Sequence, residues 1–236
     1  MTALRALAAA VVLSAAASAV DARAAGDALP RILIIGDSIS MGYTPPLTRL
    51  LEGRAVVEHN PGNAAHARNG AEKIDAWIGT SKWDVIHFNH GLHDLKHVTD
   101  KGSNATTRAE GHRQVDIPEY AACLEKMVVR MKQTGAKLIF ATTTPFPEGS
   151  KPVRIPADCA LYNEAALAVM KRHGVAVNDL CAFAAPHLAR WQKPVNVHFL
   201  PEGSDQLAIE VARQIWKVLG RSPAELPAQV PPAPKK

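Results

Sequence analysis

The stretch Arg31-Ile32-Leu33-Ile34-Ile35-Gly36-Asp37-Ser38 decides the fold, because an uninterrupted apolar run ends directly on a short polar turn. Apolar residues without alternation are typical of a strand that is buried on both faces, as in a parallel sheet. The turn then places the Ser38 hydroxyl at the carboxyl end of that strand. Open α/β sheets bind their ligands at this edge. The stretch therefore predicts an α/β fold with a serine in a functional position.

Apolar runs alternate with helix-like segments along the rest of the chain, which predicts repeated βα units and a parallel sheet. The sequence predicts five strands, at 31–35, 55–58, 85–89, 137–142 and 175–178. Among the predicted helices are 45–51, about 180–190 and roughly 203–219. Two long loops, at 96–116 and 144–158, are expected to contribute to a substrate site.

The chain of 236 residues predicts one domain with a segment at each end. Residues 1–24 have the features of a signal peptide, namely Arg5, an apolar run over 6–20 and small residues near 22–24. The domain is predicted to span 25–221, followed by a proline-rich, disordered tail at 222–236. The apolar run is too short to predict a membrane span. We therefore expect a periplasmic or secreted protein without stable membrane insertion.

The net charge and the number of cysteines limit the functions and the disulfides that this chain can have. The formal net charge is +5, and Lys and Arg do not cluster with aromatic residues, so nucleic-acid binding is not expected. Three cysteines, Cys123, Cys159 and Cys181, permit at most one internal disulfide. Two alternatives are open: a disulfide between Cys159 and Cys181, or three buried free thiols.

A histidine far along the chain is a candidate partner for the serine. His198 lies in Val197-His198-Phe199-Leu200-Pro201-Glu202-Gly203, near the end of the predicted domain. A serine hydroxyl is a poor nucleophile until a neutral imidazole takes its proton. The sequence therefore predicts Ser38 as nucleophile and His198 as general base of a serine hydrolase.

Three blocks, Gly36-Asp37-Ser38, Gly91-Leu92-His93-Asp94 and Val197-His198-Phe199, resemble those of the SGNH (GDSL) hydrolase superfamily in order and spacing. The resemblance implies a three-layer α/β/α sandwich around a five-stranded parallel sheet, the flavodoxin-like SGNH hydrolase fold. It also implies that Ser38 is the nucleophile and that its backbone amide contributes to the oxyanion hole. It implies no cofactor.

The remaining oxyanion-hole donors are harder to assign, because two blocks depart from the family pattern. His93 stands where the family usually has asparagine, and the block is similar to that of bacterial members with Gly-Leu-His-Asp-Leu. A histidine can donate through one ring nitrogen, and Asn89 is a second candidate donor. The resemblance places the second block within Pro61-Gly62-Asn63-Ala64, with Gly62 and Asn63 as candidates and a simple turn as the alternative.

The triad acid is the third departure. The family usually has aspartate two or three residues before the histidine, whereas this chain has Asn196 and Val195. Asparagine can accept a hydrogen bond from the imidazole but cannot stabilise imidazolium with a negative charge. Three readings are open: a Ser–His dyad with Asn196 orienting the ring, another acid such as Asp179 or Asp205, or a degenerate site.

Closely spaced histidines raise the alternative of a zinc site. The candidates are His87, His90, His93 and His97. His87 falls inside a predicted strand, and no known metal-ligand spacing accompanies the others. The sequence therefore predicts neither a metal nor a cofactor.

Together these features predict a carboxylic ester hydrolase that acts on small acyl esters through an acyl-enzyme. The family resemblance and the expected export favour acetylated carbohydrate, so the expected partner is a small-molecule or oligosaccharide ester. A lysophospholipase or thioesterase is the enzymatic alternative. The non-enzymatic alternative is a glycan-binding protein that has the same fold but no catalytic activity.

Overall fold

The computed structural model describes residues 28–233. The strands are β1 (Arg31–Ile35), β2 (Val56–His59), β3 (Val85–Phe88), β4 (His97–Val98), β5 (His112–Arg113), β6 (Lys137–Ala141) and β7 (Ala176–Asn178). The helices are α1 (Ser38–Leu50), α2 (Ala67–Ile78), α3 (Ile117–Lys132), α4 (Pro156–His173), α5 (Leu180–Ala184), α6 (Leu188–Trp191) and α7 (Pro201–Val218). The predicted signal peptide lies outside the described residues.

Five parallel strands form the central sheet in the order β2-β1-β3-β6-β7. Each differs from its predicted range by at most one residue at either end. Ile32 and Ile34 pack on one face, against α1 and α7, while Leu33 and Ile35 pack on the other, against α2, α3 and α4. Both faces of β1 are therefore covered, which explains its lack of polar alternation and confirms the predicted three-layer sandwich.

Helix α1 begins seven residues earlier than the predicted 45–51, at Ser38. The Asp37 side chain caps the helix by accepting a hydrogen bond from the Ile39 backbone nitrogen at 2.9 Å. Pro45 and Pro46 lie inside the helix, although proline removes a helical hydrogen bond. The prediction took Pro45 as a helix start and was wrong, because capping and burial of the apolar face outweigh this loss.

The predicted helix at 180–190 is interrupted. Pro186 lies in a short 3₁₀ segment, Ala185–His187, which separates α5 from α6. The chain then returns across Trp191, whose carbonyl oxygen accepts from the backbone nitrogen of Leu200 at 2.7 Å. Gly203 lets α7 approach closely, because a Cβ there would lie 2.5 Å from the Trp191 carbonyl oxygen. This close contact fixes the loop that carries the candidate base.

The two long loops pack against each other above the sheet. The loop at 96–116 contains the short antiparallel pair β4–β5, which the sequence did not predict. The backbone nitrogen of His97 donates to the carbonyl oxygen of Val153 at 2.8 Å, and Arg108 pairs with Glu148 at 2.7 Å. These contacts join the 96–116 loop to the 144–158 loop.

The predicted disordered tail at 222–236 contacts the domain within its described part, residues 222–233. Ser222 and Glu225 form a capping box around a 3₁₀ turn. Leu226 and Val230 pack against the core, and Arg49 donates to the carbonyl oxygen of Pro231 at 2.9 Å. These apolar side chains bury surface against the domain despite the prolines, and the disorder of the tail stays a prediction.

Two further expectations concern the cysteines and the membrane. Cys123, Cys159 and Cys181 are free thiols, of which Cys159 alone is buried, and Cys159 Sγ donates to the Thr143 carbonyl oxygen at 3.3 Å. No helix among residues 28–233 is long and apolar enough to span a bilayer.

Candidate active site

Ser38 is the first residue of α1, and two residues, Gly36 and Asp37, separate it from the end of β1 at the carboxyl edge of the sheet. The first N–H groups of a helix have no partner within it, and the helix dipole is positive at this end. Ser38 thus presents a hydroxyl and a backbone donor in a region of positive potential. This combination suits attack on a carbonyl and stabilisation of the oxyanion that forms.

Ser38, His198 and Asn196 form one hydrogen-bonded chain. Ser38 Oγ lies 2.8 Å from His198 Nε2, and His198 Nδ1 lies 2.7 Å from Asn196 Oδ1. The backbone nitrogen of His198 also donates to Asn196 Oδ1, at 2.9 Å. Because a backbone N–H only donates, the atom facing it is the amide oxygen, and Nδ1 must carry the proton. The Nε2 lone pair is therefore free to accept the proton of Ser38 Oγ.

The surroundings of His198 favour its neutral form. Partial burial lowers the pKa of the imidazole, and the positive charges of Lys193 and Arg154 lower it further. A neutral imidazole is the form that can act as a general base.

The two alternative acids bond elsewhere. Asp179 caps α5 through the Ala182 backbone nitrogen at 3.0 Å and accepts from Thr142 Oγ1 at 2.8 Å. Asp205 faces Arg49 at 3.8 Å. Of the three residues considered for the acid position, only Asn196 contacts His198.

The loop after β2 is held against the Ser38 turn. The backbone nitrogen of Gly36 donates to Asn60 Oδ1 at 2.9 Å, and that of Ala64 donates to the Gly36 carbonyl oxygen at the same distance. Gly62 lies between these contacts with a φ of +68°, and Asn63 Oδ1 accepts from the Ala65 backbone nitrogen. Gly62 and Asn63 thus lie in the loop beside the nucleophile, and their donor roles stay predictions.

His93 has the chemistry of an oxyanion donor. Its ring is half-buried, and burial together with the charges of Lys96 and Arg154 lowers its pKa to about 3. The ring is neutral at neutral pH, so it carries one N–H that can donate without competing for the Ser38 proton. The role stays a prediction for His93.

The Asn89 side chain has other bonds. Its Nδ2 donates to the Ala141 carbonyl oxygen at 2.7 Å and contacts Thr143 Oγ1 at 3.3 Å. These contacts take both amide protons, so the structure gives Asn89 a role in joining β3 to β6. This differs from the expectation that Asn89 is a second oxyanion donor.

Three residues that support the site were not singled out as such from the sequence. Asn60 holds the second block, as described above. Asp94 is fully buried and accepts from the Ala67 backbone nitrogen at 2.7 Å, which ties the third block to the start of α2. Arg154 is buried beside the third block, where its Nε donates to the Leu92 carbonyl oxygen at 2.8 Å. Only two of them had a local signal: Asn60 directly follows β2, and Asp94 belongs to the third block.

The four closely spaced histidines do not converge. His87 is buried in β3, with Nε2 3.2 Å from Asn178 Nδ2, and His90 Nδ1 lies 3.2 Å from the Ala65 carbonyl oxygen. Within residues 28–233 no group of three or more His, Cys, Asp or Glu side chains is arranged to hold a metal ion.

The model of the GDSL-like lipase/acylhydrolase family matches residues 34–206, a range that includes Ser38, Asn196 and His198. The chain belongs to this family. Membership in the GDSL-like family makes it a hydrolase that acts on ester bonds. No curated protein sequence matches the chain significantly.

Solved structures share the fold at low sequence identity. A lipase/acylhydrolase from Enterococcus faecalis has a TM-score of 0.64 at 19% identity, covering 87% of this chain and 100% of its own. A GDSL-like lipase from Bacteroides thetaiotaomicron has a TM-score of 0.61 at 15% identity, covering 85% and 97%. The acetylxylan esterase Axe2 from Geobacillus stearothermophilus has a TM-score of 0.58 at 16% identity, covering 82% and 95%.

Proposed function

We propose that this protein is an exported carboxylic ester hydrolase that removes small acyl groups, acetyl above all, from carbohydrate. The observation that carries the proposal is the hydrogen-bonded chain from Ser38 Oγ through His198 to Asn196, at the N-terminus of α1. Export is proposed from the signal-peptide features of residues 1–24.

In the proposed reaction His198 Nε2 takes the proton of Ser38 Oγ as the oxygen attacks the ester carbonyl. The Ser38 backbone N–H and the neutral His93 ring donate to the resulting oxyanion. The imidazolium then gives its proton to the departing alcohol, which leaves an acyl group on Ser38. Water, deprotonated by His198, attacks this acyl-enzyme, and its collapse releases the carboxylic acid and restores the serine. Asn196 holds the ring in the required tautomer throughout.

Two observations support a small acyl group on a sugar. A cavity beneath the first turn of α1 has a volume of about 10 Å³, enough for one water-sized group, and is lined in part by Ile39, Asn89 and Leu92. A cavity of this size cannot hold a long acyl chain. Two of the structural neighbours are described as acetyl xylan esterases, which agrees with an acetylated carbohydrate substrate.

The test measures hydrolysis of p-nitrophenyl acetate and release of acetate from acetylated xylo-oligosaccharides by the purified protein. Ser38→Ala and His198→Ala are the matched variants. We expect turnover of both substrates by the wild type and its loss in both variants. Turnover that persists in Ser38→Ala would overturn the serine mechanism.

The same preparation separates the proposal from its alternatives. Faster hydrolysis of p-nitrophenyl palmitate, lysophosphatidylcholine or an acyl-CoA would favour a lysophospholipase or thioesterase. Folded wild-type protein that binds the oligosaccharide, is not labelled at Ser38 by a fluorophosphonate and hydrolyses no ester would favour the non-catalytic alternative.

A further inference from the structure

Arg154 is the only lysine or arginine that is buried among residues 28–233, with 5% of its surface exposed. It lies in the loop that joins β6 to α4, two residues before that helix begins. A guanidinium stays protonated in a protein, so its burial places a full positive charge inside the fold. Such a charge costs free energy unless a partner compensates it.

The protein supplies that partner only in part. Nε of Arg154 donates to the Leu92 carbonyl oxygen at 2.8 Å, and Nη1 donates to the Pro152 carbonyl oxygen at 3.1 Å. These bonds use two of its five N–H groups. Within residues 28–233 no carboxylate forms an ion pair with it at 4.0 Å or less. Asp37 is the acid whose charge acts on it, but burial raises the pKa of that carboxyl and so disfavours its ionised form.

Because Arg154 is buried and forms no ion pair in the described part of the chain, the pKa of its guanidinium is lowered. Burial lowers the pKa of Arg154 to about 10, and Asp37 offsets this only partly. Glu148, on the same loop, is paired with Arg108 instead. The group therefore stays charged at neutral pH, and within residues 28–233 no carboxylate pairs with it directly.

The position of Arg154 directs this charge towards the candidate active site. Its bond to Leu92 places it beside His93, and its charge lowers the pKa of both His93 and His198. Arg154 also lines a cleft of about 170 Å³ between the two long loops, together with Thr106 and Ser150. A substrate group that enters this cleft therefore meets a desolvated cation and hydroxyl groups.

We propose that Arg154 binds a carboxylate of the ester substrate and thereby selects acyl esters that carry a carboxylate, such as acetylated saccharides that contain uronic acid. The proposal rests on the proposed esterase function and narrows its substrate class. The planar guanidinium matches the two oxygens of a carboxylate, and a desolvated site strengthens the interaction. Arg154 acts here as a specificity-determining residue, because it binds a part of the substrate that does not react.

The test compares two substrates that differ only at C6 of the sugar, O-acetylated methyl glucuronide and O-acetylated methyl glucoside. A hydrogen bond to a charged group accounts for roughly a tenfold to hundredfold difference in binding. We expect the wild type to show at least a tenfold (~1.4 kcal/mol) higher kcat/KM for the uronide, carried mainly by KM. Equal kcat/KM of the wild type for the two sugars would overturn the proposal. This comparison requires no variant.

Substitutions test whether Arg154 causes the preference for the uronide. Arg154→Gln is expected to lower kcat/KM for the uronide at least tenfold more than kcat/KM for the neutral sugar, and Arg154→Lys is expected to keep part of the preference. Arg108→Gln, on the same cleft but already paired with Glu148, is the control and keeps the preference. Equal losses on both sugars in Arg154→Gln and Arg154→Lys would show a structural role and overturn the assignment.

A binding measurement separates this proposal from the esterase proposal. Calorimetry on Ser38→Ala with the non-acylated methyl glucuronide and methyl glucoside requires no catalysis. Tighter binding of the glucuronide supports the role of Arg154 even in a protein that hydrolyses neither ester. Equal binding overturns it even in an active esterase.

Discussion

The side-chain oxygen of Asn196 lies 2.7 Å from Nδ1 of His198 and 2.9 Å from the backbone nitrogen of the same residue. One neutral acceptor thus holds both the ring and the chain of the candidate base. The geometry is that of a catalytic triad with an amide in place of the acid. The contact preserves orientation, while the negative charge that would stabilise the imidazolium is absent.

Asn196→Asp should increase the rate of ester hydrolysis, because a carboxylate keeps both hydrogen bonds and adds the missing charge. In triad proteases the reverse substitution lowers turnover by ~10⁴-fold, partly through the wrong tautomer. Here the tautomer is already correct, so we expect a smaller gain, on the order of tenfold to a hundredfold in kcat. Steady-state kinetics with p-nitrophenyl acetate measure it.

Asn196→Ala is the matched control, and it should lower kcat because it removes both bonds. An Asn196→Asp protein with unchanged kcat, in a folded state, would contradict the prediction. It would show that the charge of the third member does not limit this enzyme.

The acid limb of the pH profile should report the charges around His198. Burial, Lys193 and Arg154 all lower the pKa of this imidazole from its ordinary value of 6.5. The base therefore stays neutral at more acidic pH than a free histidine does. Lys193→Gln removes one positive charge, raises the pKa of His198 and should move the acid limb of kcat/KM to higher pH. Lys217→Gln, at the far end of α7, is the control. An acid limb that stays in place in Lys193→Gln would contradict this account.

The strands and the contact between Ser38 and His198 are the parts that the sequence predicts well. A strand buried on both faces needs a continuous apolar run, so β1 is visible locally and fixes the position of Ser38. His198 was found through its sequence context, and Asn196 through its spacing from His198. These features depend on neighbours in the chain.

The parts that the sequence misses depend on distant contacts. The start of α1 was hidden by Pro45, whose cost is outweighed by packing against other elements. The role of Arg154 depends on the Leu92 carbonyl, 62 residues away. Asn89 was predicted as a donor to the oxyanion, but Ala141 on β6 takes its amide. No local pattern carries these pairings.

Gly203→Ala should reduce activity by displacing the loop of the candidate base. Its Cβ would lie 2.5 Å from the backbone carbonyl oxygen of Trp191, a group that cannot rotate away. Helix α7 must then move, which costs on the order of 1–3 kcal/mol of stability and shifts His198 away from Ser38. Thermal unfolding and kcat measure the two effects.

The matched control is Gly42→Ala on α1, where the new Cβ meets only Ser204 Oγ, at 3.4 Å. There the higher helix propensity of alanine should offset the contact or stabilise the fold by up to about 1 kcal/mol. Equal behaviour of Gly42→Ala and Gly203→Ala would contradict the proposed role of the α7–Trp191 contact.

The stability of the fold should fall in mild acid because of His87. The ring is fully buried in β3, and desolvation lowers its pKa from 6.5 to about 3. Between these pH values the unfolded chain binds a proton that the folded chain does not, so the free energy of unfolding falls as the pH drops below 6.5. At 1.36 kcal/mol per pH unit, the loss from this residue between pH 7.5 and 5.0 is on the order of 2 kcal/mol.

Urea unfolding at both pH values tests this. The free energy of unfolding of His87→Gln should differ less between the two pH values than that of the wild type. His187→Gln, at an exposed position, should match the wild type. An equal difference in His87→Gln and the wild type would assign the acid sensitivity to other groups.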